Sequence, residues 1–364
     1  MAGKYSNAES DGALEWANAA KYIEKLGRVP PLFTAPIRAL MLNEPAAEAK
    51  GASLASEFLV MRLLRSPTFK AIFYFTAMTF RSENILSLAY VSSYDLIRLY
   101  QPRDLAGFIG IIYTYRKMRS LVADAGLPDE LVNFEEIQKR TELAAHLGLA
   151  IPKIGILSSV HAAGLPMLAQ ALLALEDPDG MRSYKEHLSE KKLIFDSSYE
   201  RDAWQTTSLH ICARLLQQLG FGPTYASNFI QGMQTHPVSF ADGKLDDLRY
   251  PSIELWINSL QETSLAPTVP ILGHFYPLQK DLHKLLYEVS CLKEKGSKHN
   301  WLDKSRNEIS PHATPQLYQE VLAEMTRSDD VRKFMSDNLP ASMVDSLSDE
   351  EIAEIAGGQV DVDG

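Results

Sequence analysis

The sequence predicts an all-α protein, and three observations carry that prediction. Apolar residues recur at three- and four-residue spacings over most of the chain. No run alternates apolar and polar residues as a half-buried strand requires. Glycines and prolines close the apolar stretches at intervals of a few helical turns, and no repeat of fixed period is present.

The elements follow in order. ALEWANAAKYIEKLG is amphipathic and is stopped by Gly27 and the Pro30-Pro31 pair. PLFTAPIRALML starts the next helix. SLASEFLVMRLLRSP sets Leu54, Phe58, Leu59, Met61 and Leu63 at helical spacings and ends at Pro67. FKAIFYFTAMTF is apolar on nearly every face, which predicts burial. ENILSLAYVSSYDLIRLY and DLAGFIGIIYTYRKMRSLVADAG read as helices, and Gly126 with Pro128 marks a break. Beyond it, ELVNFEEIQKRTELAAHLGLA and IPKIGILSSVHAAGLPMLAQALLAL are helical. The polar stretch EDPDGMRSYKEH separates them from ERDAWQTTSLHICARLLQQLGFG, which reads as one helix. TYASNFIQGMQTH, SIELWINSLQETSL and HFYPLQKDLHKLLYEVSCLKEKG continue the pattern, with PVSFADGKLDDLRYP as a loop. KHNWLDKSRNEISPHATP reads as a polar linker, and TPQLYQEVLAEMTRSDDVRKFMSDNLP as two short helices. Leu317, Val321, Leu322 and Met325 form the first apolar stripe there, and Val331, Phe334 and Met335 the second. The expected organisation is an N-terminal helix over 1–28, helical subdomains over 29–126 and 127–300, a linker over 301–314, tail helices over 315–358 and a terminal segment 359–364.

Composition bounds the function. The chain has 364 residues, 46% of them hydrophobic and 23% charged, as an ordinary globular protein does. Two cysteines, Cys212 and Cys291, exclude a disulfide framework and a cysteine-based zinc ribbon. They fit a reducing, cytoplasmic setting. MAGKYSNAESDGALEW has no apolar h-region, so no signal peptide is expected. No uninterrupted apolar run reaches the roughly 18 residues of a membrane span, so no membrane partner is expected. The net charge of −10 argues against a nucleic-acid partner. That charge is concentrated: no Lys or Arg follows Lys333, whereas eight carboxylates do (Asp337, Asp345, Asp349, Glu350, Glu351, Glu354, Asp361, Asp363). The rest is nearly neutral, with 36 basic residues against 38 acidic ones. Enzyme signatures such as G-x-G-x-x-G, the Walker P-loop, H-E-x-x-H and G-x-S-x-G are absent from the sequence. No cofactor is implied.

Between about 29 and 235 the order of features resembles the HD-related output domain, HDOD, a helical relative of the HD phosphohydrolases. VPPLFTAPIRAL and SLASEFLVMRLLRSPTFKAIFYFTAM are similar to its first half, with Ser66-Pro67 in place of an aspartate-proline step. GILSSVHAAG resembles the family's glycine-leucine-leucine-histidine-aspartate-x-glycine stretch, with His161 and Gly164 kept. ERDAWQTTSLHICARLLQQLGFGP is similar to a later helix of the family. The resemblance implies a multi-helix bundle used for signalling through protein contacts. HD enzymes hold metals through histidines and a histidine-aspartate pair, which polarise a phosphoester. Here His161-Ala162 lacks the aspartate, and the other ligand positions fall near Thr141 and Ser208. His161 and His210 remain as candidate ligands without a visible third, unless His146 or His187 is brought to them. Catalysis by the body is therefore disfavoured.

The tail carries the most specific pattern. In SLSDEEIAEIAGG, Ser348 and Glu351 have capping-box spacing, Asp349 and Glu350 complement the helix dipole, Ile352, Ile355 and Ala356 share a face, and Gly357-Gly358 ends the helix. This resembles the double-glycine leader of ribosomally synthesised, post-translationally modified peptide (RiPP) precursors of the nitrile-hydratase-like and nitrogen-fixation-type families. The resemblance implies a leader recognised through Leu347, Ser348, Asp349, Glu350, Glu351, Ile352 and Ile355. It implies processing at Gly357 and Gly358, and modification within 359–364, at Val360, Asp361, Val362 or Asp363. The partners implied are a peptide-modifying enzyme and a protease or exporter. The combined expectation is an all-α, HDOD-like bundle with a leader-like helical tail, acting as a non-catalytic carrier. The alternatives are a bacterial HDOD signal-transduction adaptor and a metal-dependent HD-type enzyme acting on its own tail.

Overall fold

The computed structural model describes residues 3–42, 54–234, 248–268, 273–304, 308–310, 315–317 and 327–358, with side chains from residue 12 onward. Among these residues the protein is all-α apart from one minimal strand pair. In chain order the helices are α1 (Gly3–Glu24), α2 (Pro31–Leu42), α3 (Leu54–Leu63), α4 (Pro67–Phe80), α5 (Ser82–Ile85), α6 (Ser93–Arg98), α7 (Pro102–Asp124), α8 (Phe134–Ala150) and α9 (Gly155–Glu176). They continue as α10 (Pro178–Lys191), α11 (Ser197–Trp204), α12 (Ser208–Leu219), α13 (Pro223–Gln234), α14 (Arg249–Thr263), α15 (Gln279–Lys295), α16 (Ser328–Asn338), α17 (Ala341–Val344) and α18 (Asp349–Gly357). β1 (Tyr90–Val91) pairs in parallel with β2 (Gln316–Leu317).

Two compact units share the chain. One is built from 1–28 and 114–296, the other from 29–113 and 297–364. The divide falls within α7 rather than at the Gly126-Pro128 break, and both the N-terminal helix and the tail belong to a unit rather than standing apart.

In the unit built from 1–28 and 114–296, α8 and α9 make the most extensive helix pair. Their approach depends on Gly148, where a Cβ would lie 2.5 Å from Ser159 Oγ and 2.6 Å from the Gly155 carbonyl oxygen. α9 is long and apolar enough to cross a membrane, which the sequence reading of uninterrupted runs does not register. Yet 94% of its apolar window is buried by the protein itself. Its apolar character is that of a central core helix. α1 joins this unit through α12: Arg214 lies 4.2 Å over the Trp16 ring, and Asn18 Nδ2 donates to the Gln205 carbonyl at 3.0 Å.

Several local assignments differ from the sequence pattern. EDPDGMRSYKEH is not a break but the start of α10. Asp177 caps it by accepting from Gly180 N–H, Pro178 opens it, and Met181, Tyr184 and Leu188 face the core. ERDAWQTTSLHICARLLQQLGFG is two helices, because Gln205 turns into the left-handed region and Thr207 caps α12. ENILSLAYVSSYDLIRLY divides into α5, β1 and α6, where Ser92 and Asp95 form a capping box.

The unit built from 29–113 and 297–364 has the apolar α4 at its core, as the sequence predicts. The stretch read as a polar linker is anchored here. Trp301 is fully buried, with its ring edge-on to Phe80 at 5.3 Å and to Phe108 at 5.5 Å. Tyr74 donates to the Pro315 carbonyl at 2.7 Å, next to the strand pair. Gln316 and Leu317 are extended, not helical, because they pair with β1. Val321, Leu322 and Met325 lie outside the described residues, as do 237–247 of the expected loop.

Adding a methyl at Gly148 forces overpacking at the α8–α9 contact, which costs about 1–3 kcal/mol and exceeds the roughly 1 kcal/mol helix-propensity gain of alanine. Gly148→Ala is expected to lower the chemical denaturation midpoint, and an unchanged or raised midpoint contradicts the close approach.

Candidate functional site

The candidate site is α18 and the surface it occupies. Ser348 stands at the N-cap in extended conformation, and its hydroxyl accepts from Glu351 N–H at 3.2 Å. Glu351 Oε2 in return accepts from Ser348 N–H at 2.7 Å. Both bonds lie within the segment, so the cap is intrinsic to the helix. Asp349, Glu350 and Glu351 occupy the first turn, where the exposed N–H groups favour negative charge. Arg332 on α16 pairs with Asp349 at 2.5 Å, and Arg38 on α2 donates to Ser346 Oγ at 3.2 Å. Both contacts are at the surface, where solvent screening leaves them little weight.

The apolar stripe of α18 is buried. Ile352 and Ile355 are fully enclosed and Ala356 is 2% exposed. They cluster with Ala35 and Ala39 of α2, Leu59 of α3, Val331 and Met335 of α16, Met343 and Val344 of α17, and Leu347. At roughly 1.5–3 kcal/mol per buried isoleucine, this face holds α18 far more strongly than its polar contacts do. The alanines on α2 are small enough for another helix to lie close against them.

The glycine pair is asymmetric. Gly357 has open space where a Cβ would stand. Gly358 caps the helix at φ +63°, and a Cβ there would lie 2.9 Å from Arg65 Cδ. Only Gly358 is demanded by the local structure, both by its left-handed backbone and by the Arg65 side chain alongside.

Of the residues that the leader resemblance implies, Leu347, Ile352 and Ile355 are turned into the protein, while Ser348, Asp349 and Glu350 are exposed and Glu351 is half-buried. Val360, Asp361, Val362 and Asp363 lie outside the described residues.

The histidines singled out from the sequence have separate surroundings. His161 is fully buried on α9, with Nδ1 3.0 Å from Tyr225 Oη and its ring edge-on to Phe221. Its Nε2 has no hydrogen-bond partner. His210 on α12 instead meets Thr207 Oγ1 at 2.8 Å and Glu15 Oε2 at 3.2 Å. His187 pairs with Asp196 at 2.9 Å. Thr141 is buried and donates to the Ile137 carbonyl. Among the described residues no three His, Cys, Asp or Glu side chains form a group that could hold a metal.

Ser208 serves a different purpose. Its N–H and hydroxyl both donate to Glu200 Oε2, at 2.6 and 3.0 Å, while Tyr184 donates to Glu200 Oε1 at 2.6 Å. Tyr184 Oη in turn accepts from Asp196 N–H at 2.7 Å. This buried network joins α10, α11 and α12. Burial raises Glu200 to about 7 despite the bonds that favour its ionised form. It lowers His161 to about 3 and, with Lys284 contributing, His146 to about 4.

Comparison with protein-family models, with curated proteins and with solved structures gives no match. The sequence pattern marks the helix that occupies the site but not the surface beneath it. Ala35 and Ala39, four apart on one face of α2, were the available signal.

The shifts set an acid dependence. His146 and His161 stay neutral when folded, whereas in the unfolded chain each takes a proton below about 6.5, so their contribution is lost as pH falls from 6.5 toward the folded values. Glu200 acts oppositely: its contribution is complete below about 4.5 and lost as pH rises through about 7. Between pH 6.5 and 4.5 His146, His161 and the similarly depressed His299 oppose Glu200, so stability slopes downward on acidification. His161→Asn is expected to flatten that slope by about one proton in urea titrations at stepped pH; an unchanged slope contradicts the buried neutral imidazole.

Proposed function

We propose that this chain is a non-catalytic helical carrier with a RiPP-precursor-like tail. A partner enzyme reads the leader-like helix α18 and modifies the segment 359–364. The body supplies the HDOD-like scaffold to which that leader is attached. The observation that supports this reading most is the construction of α18. It is a nine-residue helix with its own capping box, an isoleucine pair on one face and a left-handed glycine at its end. An amphipathic helix of this kind is suited to a groove of a modifying enzyme.

The chemistry assigned to the chain is binding and presentation, with no catalytic step of its own. Leu347, Ile352 and Ile355 supply the apolar contacts, and Asp349 and Glu350 supply charge. Gly357, with nothing crowding its Cβ position, lets a protease approach the backbone closely. Asp361 and Asp363 are the side chains in 359–364 with ionisable groups. The separate surroundings of His161 and His210 support the non-catalytic part of the reading.

Peptide mass spectrometry of the chain, produced alone and together with its genomic neighbours, tests the reading. The expected result is a mass change confined to 359–364 that requires a neighbour-encoded enzyme and falls about tenfold or more in Ile355→Asp. An unaltered mass in the native host overturns it and leaves α18 as the docking helix of an adaptor. A mass change in the chain produced alone overturns the non-catalytic part.

A further inference from the structure

We propose that α18 is a releasable latch: the α2–α3 face is an internal receptor that holds the leader-like helix and competes with the partner enzyme for the same side chains. The proposal rests on the reading of α18 as a leader. The conflict is geometric. Leu347, Ile352 and Ile355 are 6%, 0% and 0% exposed. An apolar stripe this narrow cannot fill a groove in a partner while it is enclosed by Ala35, Ala39 and Leu59, with Val331 and Met335 of α16 alongside. Recognition through those residues requires that α18 first leave its seat.

The construction of the seat fits departure. The capping box is internal to α18, so Ser348 and Glu351 remain paired after release and the helix leaves already capped. α16 has an anchor of its own, because Phe334 packs against Phe58 of α3 with the rings tilted and their centroids 4.7 Å apart. It can therefore stay when α18 goes. Two polar ties across the contact, Arg332 to Asp349 and Arg38 to Ser346, lie at the surface and exchange readily for water. On α2 the contact is alanine, so opening uncovers little apolar area there, while Val331 and Met335 of α16 lose their cover. Such a short peripheral element, held by one apolar stripe, belongs to the low-stability end of a fold. Docking then raises the partner's apparent Kd by the reciprocal of the fraction of time α18 is released.

Native-state hydrogen exchange of the full chain tests this. The expected result is that α18 amides exchange roughly tenfold or more faster than those of α2 and α3, through an opening that leaves both protected. Equal protection of α18, α2 and α3 overturns the latch. Ala39→Glu, which leaves the leader sequence intact, is expected to speed α18 exchange by a further factor of about ten while α9 is unchanged, and to speed modification of 359–364. Slower modification by a folded Ala39→Glu chain overturns it too, since the face would then present the leader rather than withhold it. If Ala39→Glu does not fold, the wild-type exchange ranking decides alone. A tail that is never modified ends the carrier reading without touching that ranking, so the two failures are distinguishable.

Discussion

The burial of one narrow apolar stripe governs the account. Ile352, Ile355 and Ala356 lie against the alanines of α2 and the leucine of α3, with α16 and α17 alongside. Remove that contact and the last helix is a capped, acidic, amphipathic peptide with nothing to bury its isoleucines. Keep it, and the most recognisable segment of the sequence is part of a folded unit. The contacts of Arg332 with Asp349 and of Arg38 with Ser346 are too exposed to hold the helix, whereas its isoleucine face is fully enclosed, so the hydrophobic term dominates them.

The same unit shows how the chain returns to that position. Beyond 114–296, which belongs with 1–28 to the other unit, Trp301 lies edge-on to Phe80 and Phe108. Next, Pro315 meets Tyr74, and Gln316–Leu317 pairs with β1. These attachments shorten the free loop that must be closed for α16 and α18 to dock, which lowers the entropic cost of bringing them to α2 and α3. Gly358 then lies beside Arg65, where only a residue without a Cβ avoids both strain and crowding.

Local chemistry was legible in the sequence and long-range placement was not. The capping box of Ser348 and Glu351, the stop at Pro67 and the burial of α4 all follow from spacing and residue type. The division of ERDAWQTTSLHICARLLQQLGFG into α11 and α12 was hidden, because the apolar periodicity runs across a non-glycine residue that takes the left-handed region. α10 was hidden by its polarity: most of its face is solvated, and only Met181, Tyr184 and Leu188 are buried. Trp301 sits in a stretch otherwise rich in charge and proline, so composition outweighed the one residue that decides its position. At the candidate site, the helix could be read from its own residues. The surface that receives it is defined by alanines on α2, and alanine carries no distinctive signal until the fold shows what lies against it.

Methyl nuclear Overhauser spectroscopy on the full chain, with isoleucine and alanine methyls labelled, tests the central contact most directly. The account predicts cross-peaks linking the Ile352 and Ile355 methyls to the alanine methyls of α2. Isoleucine methyls at random-coil shifts, with no cross-peak to α2, would show the tail free of the body and contradict the account.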